Sequence, residues 1–468
     1  MQHYYHSVRL DMDKCKGCTT CLKRCPTEAI RIRNNRASIL NERCIDCGEC
    51  IKVCANHAKV AVTDPLESIK RFKYPIALPA PTLYAQFQGV HQPEPIIASL
   101  FRLGFVDVFE VARAAEIVSY AISRAMREED RPKPVISSAC PAILRLIQVS
   151  FPALLDNVID FVSPMEAAAK IAKEEYAQKH GVDKADVGVF FITPCAAKMT
   201  AVKSPVGQEK SHVDGVIAIK DVYAQMRAAM KQGFSPLEID RASVVGIKWA
   251  IPGGEVEAVG IKSSLCVDGI DNVINVLEAI EDARFRNLTY FEGLACVNGC
   301  LGGPLTVENS FVAKNRLRSV MNRTLQKTVQ RREIFEDAVQ TLRMTRPIEP
   351  SDALQLSGTM KERIEREERI EQLTMGLPGL NCGSCGSPSC RALAEDIVNG
   401  CANELNCVFR LNDRINSLAA EMLTLGTSTR YTTGEDMARL RRLHDELSRS
   451  EPSEAPDGGA DDDGGDST

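Results

Sequence analysis

The sequence predicts a multidomain α/β protein, with a central α/β core between two small cysteine-rich modules. Between residues 63 and 350, short apolar runs alternate with helical patterns, as in a mostly parallel sheet covered by helices. The 18 cysteines among 468 residues are clustered at motif spacings and not scattered. A chain of this length suggests about three domains at roughly 150 residues each. The expected segments are 1–62, 63–350 and 351–410, with 411–468 a helical stretch running into a disordered acidic tail.

The first module is a repeat. Cys15-x2-Cys18-x2-Cys21-x3-Cys25 returns 29 residues later as Cys44-x2-Cys47-x2-Cys50-x3-Cys54. This resembles the run of a bacterial two-cluster ferredoxin, in which three close thiolates serve one cubane and the fourth crosses to the other. The resemblance implies one [4Fe-4S] cluster on Cys15, Cys18, Cys21 and Cys54, and a second on Cys44, Cys47, Cys50 and Cys25. Zinc would prefer separated C-x2-C pairs, each with its own tetrahedral site. The β-type stretches AIRIRN (29–34) and RASIL (36–40) between the runs suit the small ferredoxin fold.

In the core, FVDVFEVA (105–112), PVISSAC (134–140), VGVFFITPC (187–195) and GVIAIKDV (215–222) read as buried strands. Helices are expected after positions 93, 163, 220 and 270. Ser163-Pro164-Met165-Glu166 reads as a capping box opening a helix that runs to about His180. Ligands in such folds gather at the carboxyl ends of strands, which is where Cys140 and Cys195 fall. Further on, FEGLACVNGCLGGP (291–304) carries Cys296 and Cys300, with Gly299, Gly302 and Gly303 letting backbone approach a bound group. Cys140, Cys195, Cys296 and Cys300 make four thiolates, the number a cubane requires.

Ser137-Ser138-Ala139-Cys140-Pro141, Pro194-Cys195-Ala196-Ala197-Lys198 and Ala295-Cys296-Val297-Asn298-Gly299-Cys300 resemble, in order and spacing, the three signature stretches of the [FeFe]-hydrogenase catalytic domain. The resemblance implies an H-cluster: a cubane on these four cysteines, with Cys300 bridging to a two-iron subsite that carries CO and cyanide. It also implies that Lys198 hydrogen-bonds one cyanide and that Thr82, in the stretch APTLY, serves another. An ammonium suits a buried anion as a charge-assisted donor. The implied partners are H2, protons, hydrogenase maturation proteins and a redox partner such as ferredoxin or a signalling protein.

The departures matter equally. Where the family has the cysteine that donates protons, this chain has Ala139. The family's relay acids are missing from AAEIVSYAISRAM (114–126), and Ala201 stands where a glutamate is common. Retained cluster ligands beside a lost proton path resemble the sensory branches of the family. The implied function is slow, reversible H2 oxidation and proton reduction, in hydrogen sensing or a redox relay. The alternative is an iron–sulfur electron carrier or assembly factor without the two-iron subsite.

Beyond a charged helix expected at 359–374 comes Cys382-x2-Cys385-x4-Cys390-x16-Cys407, with ALAEDIV reading as a helix that brings Cys407 back. This resembles the four-cysteine [4Fe-4S] domain of Rnf-type electron-transport subunits, with zinc as the competing metal. The implied total is four [4Fe-4S] clusters and one two-iron subsite. Cys266 and Cys401 have no partner pattern and read as structural. The net charge is −5, and Glu451–Thr468 holds seven acidic and no basic residues, so the remainder carries +2 and nothing suggests nucleic acid. Neither a secretory signal nor an 18-residue apolar span is seen, and the thiol clusters imply a reducing, cytoplasmic setting. No phosphate-binding or dinucleotide-binding glycine loop occurs.

Overall fold

The computed structural model describes residues 4–233, 240–324, 338–354 and 358–428, with a few positions between 434 and 442. They fall into two compact units, Met1–Ser357 and Gly358–Thr468.

The first unit opens with the cysteine repeat. Strand β1 (Val8–Leu10) is followed by helix α1 (Thr20–Lys23), hairpin strands β2 (Ile30–Arg33) and β3 (Arg36–Ile39), helix α2 (Glu49–Lys52) and β4 (Lys59–Ala61). Strand β1 pairs antiparallel with β4, and β2 with β3. A small cluster of Cys15, Cys21, Leu22, Ile30, Ala37 and Ala58 forms its interior.

The core holds two parallel sheets. In the first, the strand order is β6 (Asp107–Val108), β5 (Tyr74–Pro79), β8 (Val187–Thr193), β9 (Gly215–Ala218). In the second it is β10 (Ser264–Asp268), β11 (Tyr290–Leu294), β7 (Val135–Ile136). Every pairing within them is parallel. Strand β8 is buried along its whole length, as expected for a parallel strand covered on both faces. Val187, Val189 and Phe191 join one apolar cluster, while Phe190 and Ile192 join the other. Alternation along the strand therefore separates the two layers of core.

Helix α3 (Glu94–Arg102) begins just after position 93, as the sequence predicts. Three expected strands are much shorter than their apolar runs, PVISSAC (134–140) being a strand only at Val135–Ile136. The strand at 105–112 stops at Val108, and helix α4 (Val111–Glu128) follows. Between them Glu110 turns inward, where it accepts from the Tyr84 hydroxyl at 2.7 Å and pairs with Arg241. The run at 215–222 ends as a strand at Ala218, and Ile219–Met230 is helical with Asp221 in its first turn.

The capping box is also corrected. Helix α6 (Pro164–His180) starts where the sequence places it, with proline in its first turn, and stops at Gly181 with φ 62°. Yet the Ser163 side chain caps nothing. Glu166 points into the core, where it accepts from Ser211 Oγ at 2.6 Å and the His212 amide at 2.9 Å. Two buried donors outweigh one local cap.

In the second unit, the charged helix spans Met360–Met375 and has a true capping box on Thr359 and Glu362. Cys390–Val398 follows, capped by Ser389, and then Val408–Ser428. Most of MARLRRLHDELSR (437–449) and all of Glu451–Thr468 lie outside the described residues. Among the described residues no helix is long and apolar enough to cross a membrane.

Ser163→Ala is expected to change stability by less than about 0.5 kcal/mol, since no cap is lost. Glu166→Ala, which strands two buried donors, should cost about 1–3 kcal/mol in chemical unfolding. The opposite ranking would contradict this assignment.

Candidate functional site

Four segments deliver the site, three of them at the carboxyl ends of parallel strands. Thr82 follows β5, Cys195 follows β8, and Cys296 and Cys300 follow β11, while Cys140 lies shortly after β7. Cys140 and Cys195 each immediately precede a helix, α5 (Pro141–Ser150) and α7 (Ala196–Lys203), and the Lys198 amide in α7 favours the Cys195 thiolate. Cys300 sits in the tight turn Gly299–Gly302. A Cβ at Gly303 would lie 2.3 Å from Pro194 O, so only glycine lets the turn bearing Cys300 close on the segment bearing Cys195.

All four cysteines line one cavity of about 110 Å³, together with Thr82, Ala139, Lys198, Trp249, Glu255 and Glu292. Burial pushes Cys195, Cys296 and Cys300 up to about 12. The Lys198 charge opposes that rise at Cys195 and Cys300, as Lys52 does at Cys296. Thiols so placed become anions only beside a cation, which is the chemistry of an iron–sulfur cluster. Among the described residues Thr82 Oγ1 is buried without a hydrogen-bond partner, and Lys198 Nζ donates to Ala139 O at 3.1 Å. An orphaned hydroxyl and an ammonium in one cavity fit a bound group that carries acceptors or negative charge. The donor set thus fits a cubane beside a group that carries acceptors or negative charge.

The expected ferredoxin ligands are also brought together. Cys25, Cys44, Cys47 and Cys50 line one small cavity. Cys15, Cys18 and Cys54 are the thiol neighbours that act on Cys21, whose own thiol burial raises. The repeat extends to its hydrogen bonds: Ala29 N donates to Cys25 Sγ and Ala58 N to Cys54 Sγ, each at 3.3 Å. Cys47 borders the second ferredoxin cavity and the main cavity alike. There Gly48, at φ 79°, packs against Pro304, whose Cγ is 2.5 Å from where a Cβ would stand. In the second unit Cys382, Cys385, Cys390 and Cys407 line a further small cavity. Cys266 is half-buried on β10, and Cys401 is exposed.

Residues 73–260 match the C-terminal domain of the iron-only hydrogenase large subunit. Residues 7–55 match a 4Fe-4S dicluster domain, and residues 377–409 an Fe-S cluster family. The stretch 73–260 is thus [FeFe]-hydrogenase-like, and the three matches together support a divergent relative of that family. It is 24% identical over 384 residues to the NADP-reducing hydrogenase subunit HndD of Solidesulfovibrio fructosivorans, covering 65% of this chain and 66% of that one. It is 26% identical over 289 residues to iron hydrogenase 1 of Clostridium pasteurianum, covering 54% and 50%. The chain thus spans about half to two thirds of these curated relatives. The solved [FeFe]-hydrogenase of Chlamydomonas reinhardtii aligns over 61% of this chain and 96% of its own, at TM-score 0.46 and 15% identity.

This hydrogenase-like cavity contains acids that the sequence pattern placed nowhere. No acid was expected to replace the family relay, yet two buried carboxylates line the wall. Glu255 accepts from Ser137 Oγ at 2.8 Å and from the Tyr290 hydroxyl at 2.7 Å. Glu292 accepts from the Gly253 and Val256 amides at 3.2 and 3.0 Å. Burial pushes both above the ordinary carboxylate range, and the Glu255 charge raises Glu292 further. The signal was present in YFEGL: a parallel strand buried at all five positions holds one acid, Glu292.

Gly303→Ala should prise the Cys300 turn from Pro194 O and lower iron at the main cavity, while the ferredoxin-type spectral signals persist. Full iron content by anaerobic analysis and unchanged spectra would contradict the packing.

Proposed function

We propose that this chain is an iron–sulfur protein that reversibly oxidises H2 to two protons and two electrons, at low turnover, in cytoplasmic hydrogen sensing or redox relay. The observation that carries it is the single buried cavity shared by Cys140, Cys195, Cys296, Cys300, Lys198 and the orphaned Thr82 hydroxyl. In this reading Cys140, Cys195, Cys296 and Cys300 would hold a cubane, Cys300 would also serve the two-iron group, and Lys198 and Thr82 would donate hydrogen bonds to that group's cyanide. When bound, the two-iron group supplies the cleavage and formation of H2. Three further [4Fe-4S] clusters occupy the two ferredoxin sets and the set ending at Cys407. Hydrogenase maturation proteins install the subsite, and an external carrier such as ferredoxin, or a signalling protein, exchanges electrons.

The chain's own residues account for the low turnover. Ala139 presents a methyl to the cavity wall and cannot carry a proton. Ser137 Oγ accepts from the Ala139 amide at 3.2 Å and donates to Glu255, so a hydroxyl links that position to the buried acid. Glu255 and Glu292, raised by burial, hold protons near neutral pH and stand in for the missing relay. What they lack is a titrating group at position 139 itself.

The reading is tested on matured protein by H2-dependent reduction of an artificial dye. Slow but measurable turnover that vanishes in Cys300→Ser, with ferredoxin-type signals intact, supports it. Activity that survives Cys300→Ser would rule out the assigned bridge.

Two variants then probe proton delivery. Positioned acid–base groups contribute typically about 10²–10⁴-fold, so Ala139→Cys should raise H2 evolution within or below that range. Glu255→Gln, which keeps the shape but loses the proton, should lower H2 evolution by about 10²-fold and flatten its pH profile near neutrality. Unchanged rate and profile would remove Glu255 from the path.

A further inference from the structure

The long helix Val408–Ser428 presents an apolar seam that no other described residue covers. From Val408 to Thr424 every side chain is exposed or half-buried. A helix without a packed face is marginal in water, because most helical stability in proteins comes from tertiary burial. Its apolar residues are also ordered. Val408, Leu411, Ile415, Leu418 and Met422 recur at alternating spacings of three and four, and are 45%, 39%, 41%, 43% and 63% exposed. That alternation forms the narrow stripe of a two-stranded coiled coil, where positions a and d meet a partner helix.

We infer that this helix pairs antiparallel with the same helix of a second copy, making the chain a homodimer. The stripe is complementary to itself in one antiparallel register. Ile415 of one copy faces Leu418 of the other, and Leu411 faces Met422, each layer occurring twice by the two-fold symmetry. The flanking charges select this direction. In that register Arg414 of one copy stands beside Glu421 of the other, again twice. A parallel pair would set Arg414 against Ala419 and Glu421 against Gly426, with no ion pair.

The neighbouring charges are already engaged and these two remain available. Arg410 pairs with Glu404 at 3.4 Å and reaches Asp413 at 4.0 Å. Glu421 receives the Ser417 hydroxyl at 3.3 Å, and Arg414 meets no carboxylate within ion-pair distance among the described residues. The seam lies on a helix that starts just after Cys407, the last cysteine of the C-terminal set. A dimer through it therefore requires no residue of the main cavity.

The test is the oligomeric state of the full-length, iron-loaded protein by sedimentation equilibrium. A concentration-dependent dimer is expected, which Leu418→Asp reduces to monomer. Arg414→Glu and Glu421→Arg each place like charges together and should weaken the dimer about tenfold, by the loss of about 1.4 kcal/mol. The double variant Arg414→Glu/Glu421→Arg restores opposite charges and should restore the dimer. Iron content and iron–sulfur absorption unchanged in all four variants would show that the cysteine-bearing fold is intact. A monomeric parent, a dimer that survives Leu418→Asp, or a double variant as weak as the singles would each overturn the inference.

Discussion

Four thiols gathered in one largely apolar cavity are held there by the fold, and at Cys195, Cys296 and Cys300 burial opposes the charged form that binds metal. That constraint organises the first unit. The parallel sheets bring Cys195, Cys296 and Thr82 to the carboxyl ends of their strands, and α5 and α7 each begin at the residue after Cys140 and Cys195. Burial supplies the low dielectric that strengthens each remaining charge in the wall, Lys198 above all. The protein has assembled ligands that are costly to leave unmetallated, and the [FeFe]-hydrogenase-like fold places them where strand ends converge.

The front repeat and the core meet at a specific point. Cys47 borders two cavities at once and packs among the apolar residues around Cys140 and Cys195. Gly48 lets that loop approach Pro304, just past the turn that carries Cys300. Thiol sets that share a wall are suited to exchange electrons, and the contact depends on backbone closeness that any side chain at Gly48 would prevent.

What the sequence made legible was what covalent spacing controls. The cysteine runs, Lys198 and Thr82 arrive together because motif spacing and strand ends determine their positions. Strand limits were less legible: apolar runs at 105–112 and 215–222 continue into helices, since a helix facing the core is as apolar as the strand before it. Ser163 and Glu166 had the spacing of a local cap, but Ser211 and His212, far away in sequence, claimed the carboxylate. Glu255 and Glu292 were missed for the same reason. Their burial is a tertiary fact, and only the isolated acid within YFEGL hinted at it.

The central claim is that the main cavity holds a two-iron group carrying CO and cyanide beside the cubane. Infrared spectroscopy of the anaerobically matured protein tests it most directly, since those ligands absorb where protein does not. The account predicts CO and cyanide bands, with the cyanide bands shifted in Lys198→Met and Thr82→Ala. Matured protein with full cubane signals and no such bands would contradict it, leaving an iron–sulfur carrier in its place.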